Sequence, residues 1–247
     1  MNAEDIAHLQ GWVGKTHTQR EQLSPTTVAA LAATLDCGWI IPDNGAPLPA
    51  LCHWLYFLTH PASSELDEDG HERRGGFLPP VPLPRRMWAA SEIEFYQAVH
   101  IGDQLERASR VDSVQFKQGR SGELCFVTVD HEIRRGTRLA IHERQQLVYR
   151  EQSSSASTAA SAAPDHVAQW TQTVGIDPVL LFRYSALTFN SHRIHYDRDY
   201  AMQHEGYDGL VLQAPLAATL MLDALMRARP TTQIAKFKFR ALKPVFD

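Results

Sequence analysis

The densest concentration of acid–base and hydrogen-bonding side chains lies between residues 182 and 197. This stretch reads FRYSALTFNSHRIHYD, with two histidines, two arginines, two tyrosines, an asparagine and an aspartate. Imidazoles titrate near neutral pH and can exchange protons with a substrate, and guanidinium groups bind carboxylates and phosphates through paired hydrogen bonds. The combination predicts an active-site segment, for which the rest of the chain supplies a scaffold and a pocket.

The composition indicates a globular protein and excludes several classes of partner. The 247 residues are 44% hydrophobic and 21% charged, and the net charge of −4 offers no positive field for a nucleic-acid backbone. The three cysteines (Cys37, Cys52 and Cys125) are too scattered for a disulfide framework or a zinc site, which favours a reducing compartment. No signal peptide is evident, and no apolar run approaches the ~20 residues that cross a bilayer. We therefore expect a cytoplasmic protein with no membrane or nucleic-acid partner and neither a metal nor another cofactor.

The pattern of hydrophobic residues predicts an α+β protein. Ser24 and Pro25 form a helix start, and the helix from Thr26 to Leu35 is expected to end near Gly38. Strands and turns then dominate from Met87 to Glu151 and predict an antiparallel meander. Further elements are a buried segment of ambiguous type at Leu51–Leu58, a long polar loop at 59–86, an apolar element at Val179–Leu187, a helix at Leu210–Ala228 and a strand at Ile234–Arg240.

A run of small residues divides the chain. Residues 152–165 are rich in serine and alanine, which is typical of a flexible linker. The interpretation is therefore an N-terminal domain at 1–151, a linker at 152–165 and a C-terminal domain at 166–247 that carries the chemical motif.

The second half resembles MaoC-type hydratases, in which a sheet wraps one long helix in a hot-dog fold. The residues that carry this resemblance are Tyr184, Leu187, Thr188, Phe189, Asn190, His192, Arg193, Ile194, His195, Asp197 and Ala201. The first half is similar to the dehydratase-like half of a double hot-dog subgroup. It contributes the residues at 83–88, the turn at 101–103, the expected hairpin turn at 119–122 and the strand at 126–129. The subgroup comprises mesaconyl-C4-CoA hydratases, itaconyl-CoA hydratases of itaconate degradation, and mitochondrial hydroxyacyl-thioester dehydratases of type 2.

The resemblance implies a double hot-dog fold, a homodimer and an acyl-CoA substrate. Three features depart from the family pattern. Asn190 stands at the usual aspartate, although asparagine is typical of the subgroup, and Gln213–Ala214 replaces the His-Gly pair that often begins the long helix. Only one strand is visible after that helix, so a further ~30–50 residues would be needed to complete a second hot-dog from ordinary strand and turn lengths.

Hydration of an α,β-unsaturated thioester assigns a role to each motif residue. It needs a base for water, a proton for the α-carbon and donors to the enolate oxygen. The resemblance makes His195 the base, while Asn190 orients the water because its amide takes no proton. The Ala214 amide is the expected enolate donor. The other predicted substrate-binding residues are Tyr184, His192, Arg193, Gln213, Arg85 and Arg86.

Plainer interpretations of the same residues stay open. The two histidines could be loop residues satisfied by backbone groups, Arg193 could pair with Asp197 or Asp199, and the arginine pairs of the long loop could be solvated surface. A metal site at His192, His195 and Asp197 is not favoured, because the spacing is not a zinc pattern.

The leading functional hypothesis is reversible hydration of a branched C5 dicarboxylyl-CoA, either itaconyl-CoA or mesaconyl-C4-CoA, to citramalyl-CoA. The alternatives are a 3-hydroxyacyl-thioester dehydratase of fatty-acid synthesis, a hot-dog thioesterase, and a non-catalytic acyl-CoA-binding subunit, since one fold can host several activities.

Overall fold

A computed structural model describes residues 2–37, 44–119, 122–151, 168 and 171–247. The predicted linker, Gly38 and the centre of the predicted hairpin turn at 119–122 lie outside these ranges. The helices are α1 (Ala3–Gln10), α2 (Pro25–Leu35), α3 (Pro178–Leu187) and α4 (Ala214–Ala228). The strands are β1 (Thr16–Gln22), β2 (Arg85–Phe95), β3 (Gln104–Gly119), β4 (Gly122–Arg135), β5 (Arg138–Arg150) and β6 (Lys236–Arg240).

The described strands form one antiparallel sheet. Their order is β1-β3-β4-β5-β2-β6. Strands β3, β4 and β5 form the predicted meander, whereas β2 pairs with β5 and not with β3. Strand β6 pairs with β2, although the two are far apart in sequence. The α+β class is thereby confirmed. The division into two halves stays a prediction.

Most of the helix ends predicted from the sequence agree with the structure, and the start of α4 is the exception. Ser24 caps α2 by accepting a hydrogen bond from the Thr26 amide, and Pro25 occupies the first turn. Helix α4 begins at Ala214, four residues later than the predicted start at Leu210. Leu210 and Val211 instead pair with the segment near Phe246. The predictions missed α1 and β1. Strand β1 is polar along its whole length and has no apolar residues to mark it, whereas α1 carries a capping box at Asn2 and Asp5 that was not used.

The main core lies between the sheet and helices α2, α3 and α4. It contains the apolar faces of these helices and the ambiguous segment near residue 54, which forms a buried 3₁₀ turn at Cys52–Leu55. Trp54 and Phe57 belong to this core, as expected from their size, and Phe77 packs partly buried against a second cluster.

A buried carboxylate ties the 3₁₀ turn to the sheet. Glu143 on β5 accepts hydrogen bonds from Trp54 Nε1 at 2.9 Å and Ser91 Oγ at 2.6 Å, and its carboxylate lies 3.2 Å from His53 Nε2. Burial raises the pKa of Glu143, but the contact with His53, the nearby His131 and the hydrogen bond from Ser91 outweigh it and lower that pKa to about 2. The charged carboxylate is therefore the bound form at neutral pH.

We predict that Glu143→Ala lowers the free energy of unfolding by about 3–5 kcal/mol, because it leaves three buried polar partners unsatisfied. Since folding lowers this pKa, the stabilisation is complete above the unfolded value near ~4.3 and is lost as the pH falls towards the folded value. Urea unfolding over this pH range measures the effect. Glu106→Ala is the control, since Glu106 pairs with the exposed Arg20, and an equal loss in the two variants would contradict the prediction.

Candidate active site

The predicted active-site segment folds as three short pieces. Helix α3 ends at Leu187, and Phe189 reverses the chain with a φ of 48°. The side-chain oxygen of Asn190 then accepts a hydrogen bond from the His192 amide at 3.1 Å, which closes an Asx turn. A 3₁₀ turn at Arg193–His195 follows. The segment is thus held by its own polar side chains.

His195 is buried with one ring nitrogen committed. Its Nδ1 lies 2.7 Å from the carbonyl oxygen of Val211, so this nitrogen carries the proton and donates it. The Val211 amide in turn donates to the Ile194 carbonyl at 2.9 Å. Burial lowers the pKa of His195 to about 4. The imidazole is therefore neutral at pH 7, and its Nε2 lone pair is available as a base.

The long polar loop docks directly on this segment. The Arg193 amide donates to the Asp69 carbonyl at 2.9 Å, and Ser191 Oγ donates to the Gly70 carbonyl at 2.5 Å. Gly70 has a φ of +87°, and a Cβ on it would lie 1.9 Å from the Ser191 carbonyl oxygen. Only glycine permits this close approach.

The docked loop adds a carboxylate and an imidazole that the sequence analysis missed. Asp69 accepts hydrogen bonds from the His71 amide and from His71 Nδ1, at 2.8 and 2.9 Å. The His71 ring lies 4.0 Å from that of His192, and the His192 ring lies 5.4 Å from that of His195. The Asp-Gly-His order at 69–71 is the sequence feature that could have indicated these two residues, but only folding brings them next to the motif.

Charges around the histidines favour the neutral imidazoles. Burial and then the Arg86 charge lower the pKa of His71, while burial, His71 and His195 hold the pKa of His192 well below its usual value. Burial raises the pKa of Asp69, but its hydrogen bonds with His71 outweigh it and keep the carboxylate charged.

The same residues could offer ligands to a metal ion. Asp69, His71 and His192 each provide one ligand atom, and these atoms lie within 4.8 Å of one another. Both oxygens of Asp69 already accept hydrogen bonds from His71, however, and the nearby Arg86 opposes a cation. The arrangement therefore suits a carboxylate–imidazole pair better than a metal.

Three of the predicted binding residues lie around the start of α4. Tyr184 is buried in the core, with its hydroxyl bonded to Thr219. The Gln213 amide group donates to the Leu181 carbonyl and to Ser185 Oγ, both at 3.0 Å, which ties the start of α4 to α3. Ala214 is the first residue of α4, where backbone amides lack helical acceptors.

The arginines separate into committed and available side chains. Arg193 lies over the Tyr200 ring and binds Asp197 through Nε and a terminal nitrogen, at 3.1 and 2.7 Å. Arg85 is buried in an ion pair with Glu205 at 2.9 Å. Arg86 lies opposite Tyr149 in the register of β2 and β5, and its guanidinium interacts with the Tyr149 side chain. It forms no ion pair with any described residue, so its positive charge is not neutralised there. For Arg193, the structure thus shows the alternative interpretation, an ion pair with Asp197.

An open cavity of about 370 Å³ lies beside the docked loop. Its walls include Asp67, Asp69, Arg74, Arg85 and Glu205. Asp69 therefore lies between this cavity and the histidine cluster.

Comparison with known proteins agrees with the predicted fold and family. The family model for hydroxyacyl-thioester dehydratase type 2 matches residues 51–247. The chain belongs to the hydroxyacyl-thioester dehydratase type 2 family. It is also 44% identical over 243 residues to the mesaconyl-C(4)-CoA hydratase of Chloroflexus aurantiacus, covering 98% of this chain and 86% of that protein. The family member described here is a MaoC-like hydro-lyase.

Solved structures of low sequence identity show the same fold. A MaoC-like dehydratase from Phytophthora capsici superposes with a TM-score of 0.63 at 13% identity, covering 98% of this chain and 84% of that chain. A Mycobacterium tuberculosis protein described as having a double hotdog fold gives 0.55 at 15% identity, with coverages of 95% and 81%. The hot-dog prediction is confirmed. In the described ranges, no helix has the length and apolar character that a membrane crossing requires.

We predict that Gly70→Ala displaces the docked loop and lowers kcat/KM at least ~10-fold. The reason is the added Cβ, which overlaps a backbone carbonyl and adds about 1–3 kcal/mol of backbone strain. Gly14→Ala is the matched control, since Gly14 has a φ of +88° but nothing within 4 Å of an added Cβ. Steady-state kinetics and thermal unfolding of both variants give the comparison, and equal kinetics would rule out a role for the close contact.

Proposed function

We propose that this hydro-lyase reversibly hydrates an α,β-unsaturated acyl-CoA, with His195 as the base. The observation that carries the proposal is the state of His195. Its Nδ1 proton is held by the Val211 carbonyl, and burial keeps the imidazole neutral, so Nε2 can accept a proton from water. Membership of a hydratase and dehydratase family supplies the reaction class.

The remaining motif residues support this chemistry. His195 takes a proton from water while the water oxygen attacks the β-carbon, and the π electrons move into the thioester as an enolate. The Asn190 oxygen already accepts from the His192 amide, so its amide nitrogen is the group that we assign to the water. The Ala214 amide at the start of α4 is our candidate donor to the enolate oxygen, where the helix dipole favours negative charge. Tyr184 and Gln213 hold this helix start in position.

For the substrate we propose a branched C5 dicarboxylyl-CoA, either mesaconyl-C4-CoA or itaconyl-CoA, converted to citramalyl-CoA. The 44% identity to a mesaconyl-C(4)-CoA hydratase supports this choice. The second carboxylate of such a substrate needs a cation. Arg193 is already bound to Asp197, so we assign that role to Arg86, whose charge also acts on His71 and His192.

The family model favours a second candidate, dehydration of a 3-hydroxyacyl thioester. The chemistry is the same reaction run backwards on a substrate without a second carboxylate. Arg86 is what distinguishes the two candidates, because a monocarboxylyl thioester leaves that guanidinium without an anion. The homodimer and the cytoplasmic location stay predictions.

The experiment that tests the proposal compares mesaconyl-C4-CoA, itaconyl-CoA and crotonyl-CoA. Loss of the conjugated thioester absorbance reports hydration, and a thiol reagent reports hydrolysis. We expect hydration of a dicarboxylyl substrate with the higher kcat/KM. Faster crotonyl-CoA turnover would select the dehydratase candidate, thiol release a thioesterase, and binding without turnover a non-catalytic subunit.

Replacement of the base is the second test. His195→Gln should lower kcat by about 10²–10⁴-fold, because the variant has no group at this position to accept the water proton. His60→Gln is the control, since the His60 ring contacts Phe189 outside the histidine cluster. Full activity of the His195 variant would exclude His195 as the base.

The choice between the two arginines gives a substrate-specific prediction. Arg86→Gln should raise KM for mesaconyl-C4-CoA by roughly 10–100-fold, the value of a hydrogen bond to a charged group. It should change KM for crotonyl-CoA only a few-fold. Arg193→Gln should affect both substrates in proportion, because Arg193 stabilises the motif through Asp197. A selective loss in the Arg193 variant would reverse the assignment.

A further inference from the structure

We propose that Asp69 and His71 form a second acid–base pair of this site, in which His71 carries the α-carbon proton while His195 carries the water proton. The inference rests on the proposed hydration. It adds two residues from the first half of the chain to the motif of the second half.

The loop that carries the pair is held in place by backbone contacts. Asp69 and Gly70 both accept hydrogen bonds from the motif segment, through the Arg193 amide and Ser191 Oγ. The side chains of His71 and Asp69 are 20% and 17% exposed. Two polar side chains are thus sequestered beside the motif by a contact that only Gly70 permits.

The hydrogen bonds orient the His71 ring. Its Nδ1 donates to Asp69, which selects one tautomer and leaves Nε2 as the reactive nitrogen. A carboxylate in this position also stabilises the imidazolium that forms when Nε2 takes a proton, as in other Asp–His pairs.

The spacing of the rings suits a shared substrate. His192 contacts both of its neighbours, with centroids 4.0 Å from His71 and 5.4 Å from His195. Two proton carriers are therefore close together but not in the same position. Hydration of an α,β-unsaturated thioester removes a proton from the water that attacks the β-carbon, and it delivers a proton to the adjacent α-carbon.

The step balances without another reactant. In hydration, His195 takes one proton from water, the hydroxyl bonds to the β-carbon, and the π electrons form the enolate. His71 is neutral at rest, so its Nε2 first takes a proton from water, and Asp69 stabilises the imidazolium that forms. The α-carbon of the enolate then takes this Nε2 proton, and the electrons of the enolate form the new C–H bond. His195 ends protonated and His71 neutral. Proton exchange with water resets both, and Asp69 lines the open cavity from which water can reach the pair.

Four groups decide the protonation of His71. Burial, Arg86 on β2 and Arg74 on the same loop lower its pKa, Asp69 raises it, and His192 of the motif packs on its ring. The hydration rate should therefore fall as the pH rises through the pKa of His71. This alkaline limb should move to lower pH in Asp69→Asn, because the group that raises the pKa is removed, and it should be absent in His71→Gln.

The test measures kcat and KM for mesaconyl-C4-CoA hydration against pH in the full-length protein and its variants. We expect His71→Gln to lower kcat about 10²–10⁴-fold with little change in KM. Asp69→Asn should lower kcat less and shift the alkaline limb. Asp112→Asn is the matched control, because Asp112 lies on β3 and its ion pairs are with Arg110 and Arg144.

Each outcome decides the proposal. Unchanged kcat in His71→Gln, or an unshifted limb in Asp69→Asn, overturns it while leaving the proposed function intact. If His71→Gln also loses thermal stability, the shift of the alkaline limb in the pH profile of Asp69→Asn alone decides whether the proposal stands. A wild-type protein that hydrates no enoyl-CoA overturns both proposals. Stoichiometric metal in the purified protein, with activity lost on chelation, would make Asp69 and His71 metal ligands and also overturn the pair.

Discussion

The hydrogen bond from His195 Nδ1 to the Val211 carbonyl is the interaction on which the site depends. It selects the tautomer and thereby decides which nitrogen is available for chemistry. The acceptor belongs to the segment just before α4, and that segment is itself held between Ile194 and the C-terminal residues near Phe246. The packing of α4 in the core therefore helps to fix the Val211 carbonyl, and this carbonyl orients the His195 ring.

Low polarity is the second constraint on the site. Three imidazoles packed together with a nearby guanidinium cannot all be charged, because each positive charge raises the cost of the next. Burial keeps them neutral, and Asp69 is the carboxylate placed to stabilise one of them when it takes a proton. Arg86 is the positive charge beside these neutral rings, which is why it is the group proposed to bind the second carboxylate of the substrate.

The ion pairs show why residue type was a poor guide to substrate binding. Arg193 has the expected chemistry for a carboxylate clamp, but Asp197 lies one helical turn further on and binds it. Arg85 and Arg86 are adjacent in sequence and point to different environments, as neighbours on a strand must. Arg85 is buried against Glu205, whereas Arg86 acts on the histidines.

Several elements could be predicted from the sequence because their signals are local. Ser24 and Pro25 mark the start of α2, the strand predicted at 126–129 lies within β4, and the motif at 184–197 carries the family resemblance. The sequence predicts too early a start for α4, because the apolar residues Leu210 and Val211 pair with the C-terminal segment and do not belong to the helix.

The sequence by itself determined the α+β class and the family, because hydrophobic periodicity and a contiguous motif are present along the chain, and it predicted His195 as the base. Only the tertiary structure decided which nitrogen of His195 is held, which arginine is already paired, and that Asp69 and His71 adjoin the motif. The approach of Asp69 and His71 to the motif depends on contacts between residues more than 100 positions apart, such as Ser191 with Gly70. His195 and Val211 are 16 positions apart, and Arg193 and Asp197 are four apart, but the geometry of each contact is set only when the segments around it pack.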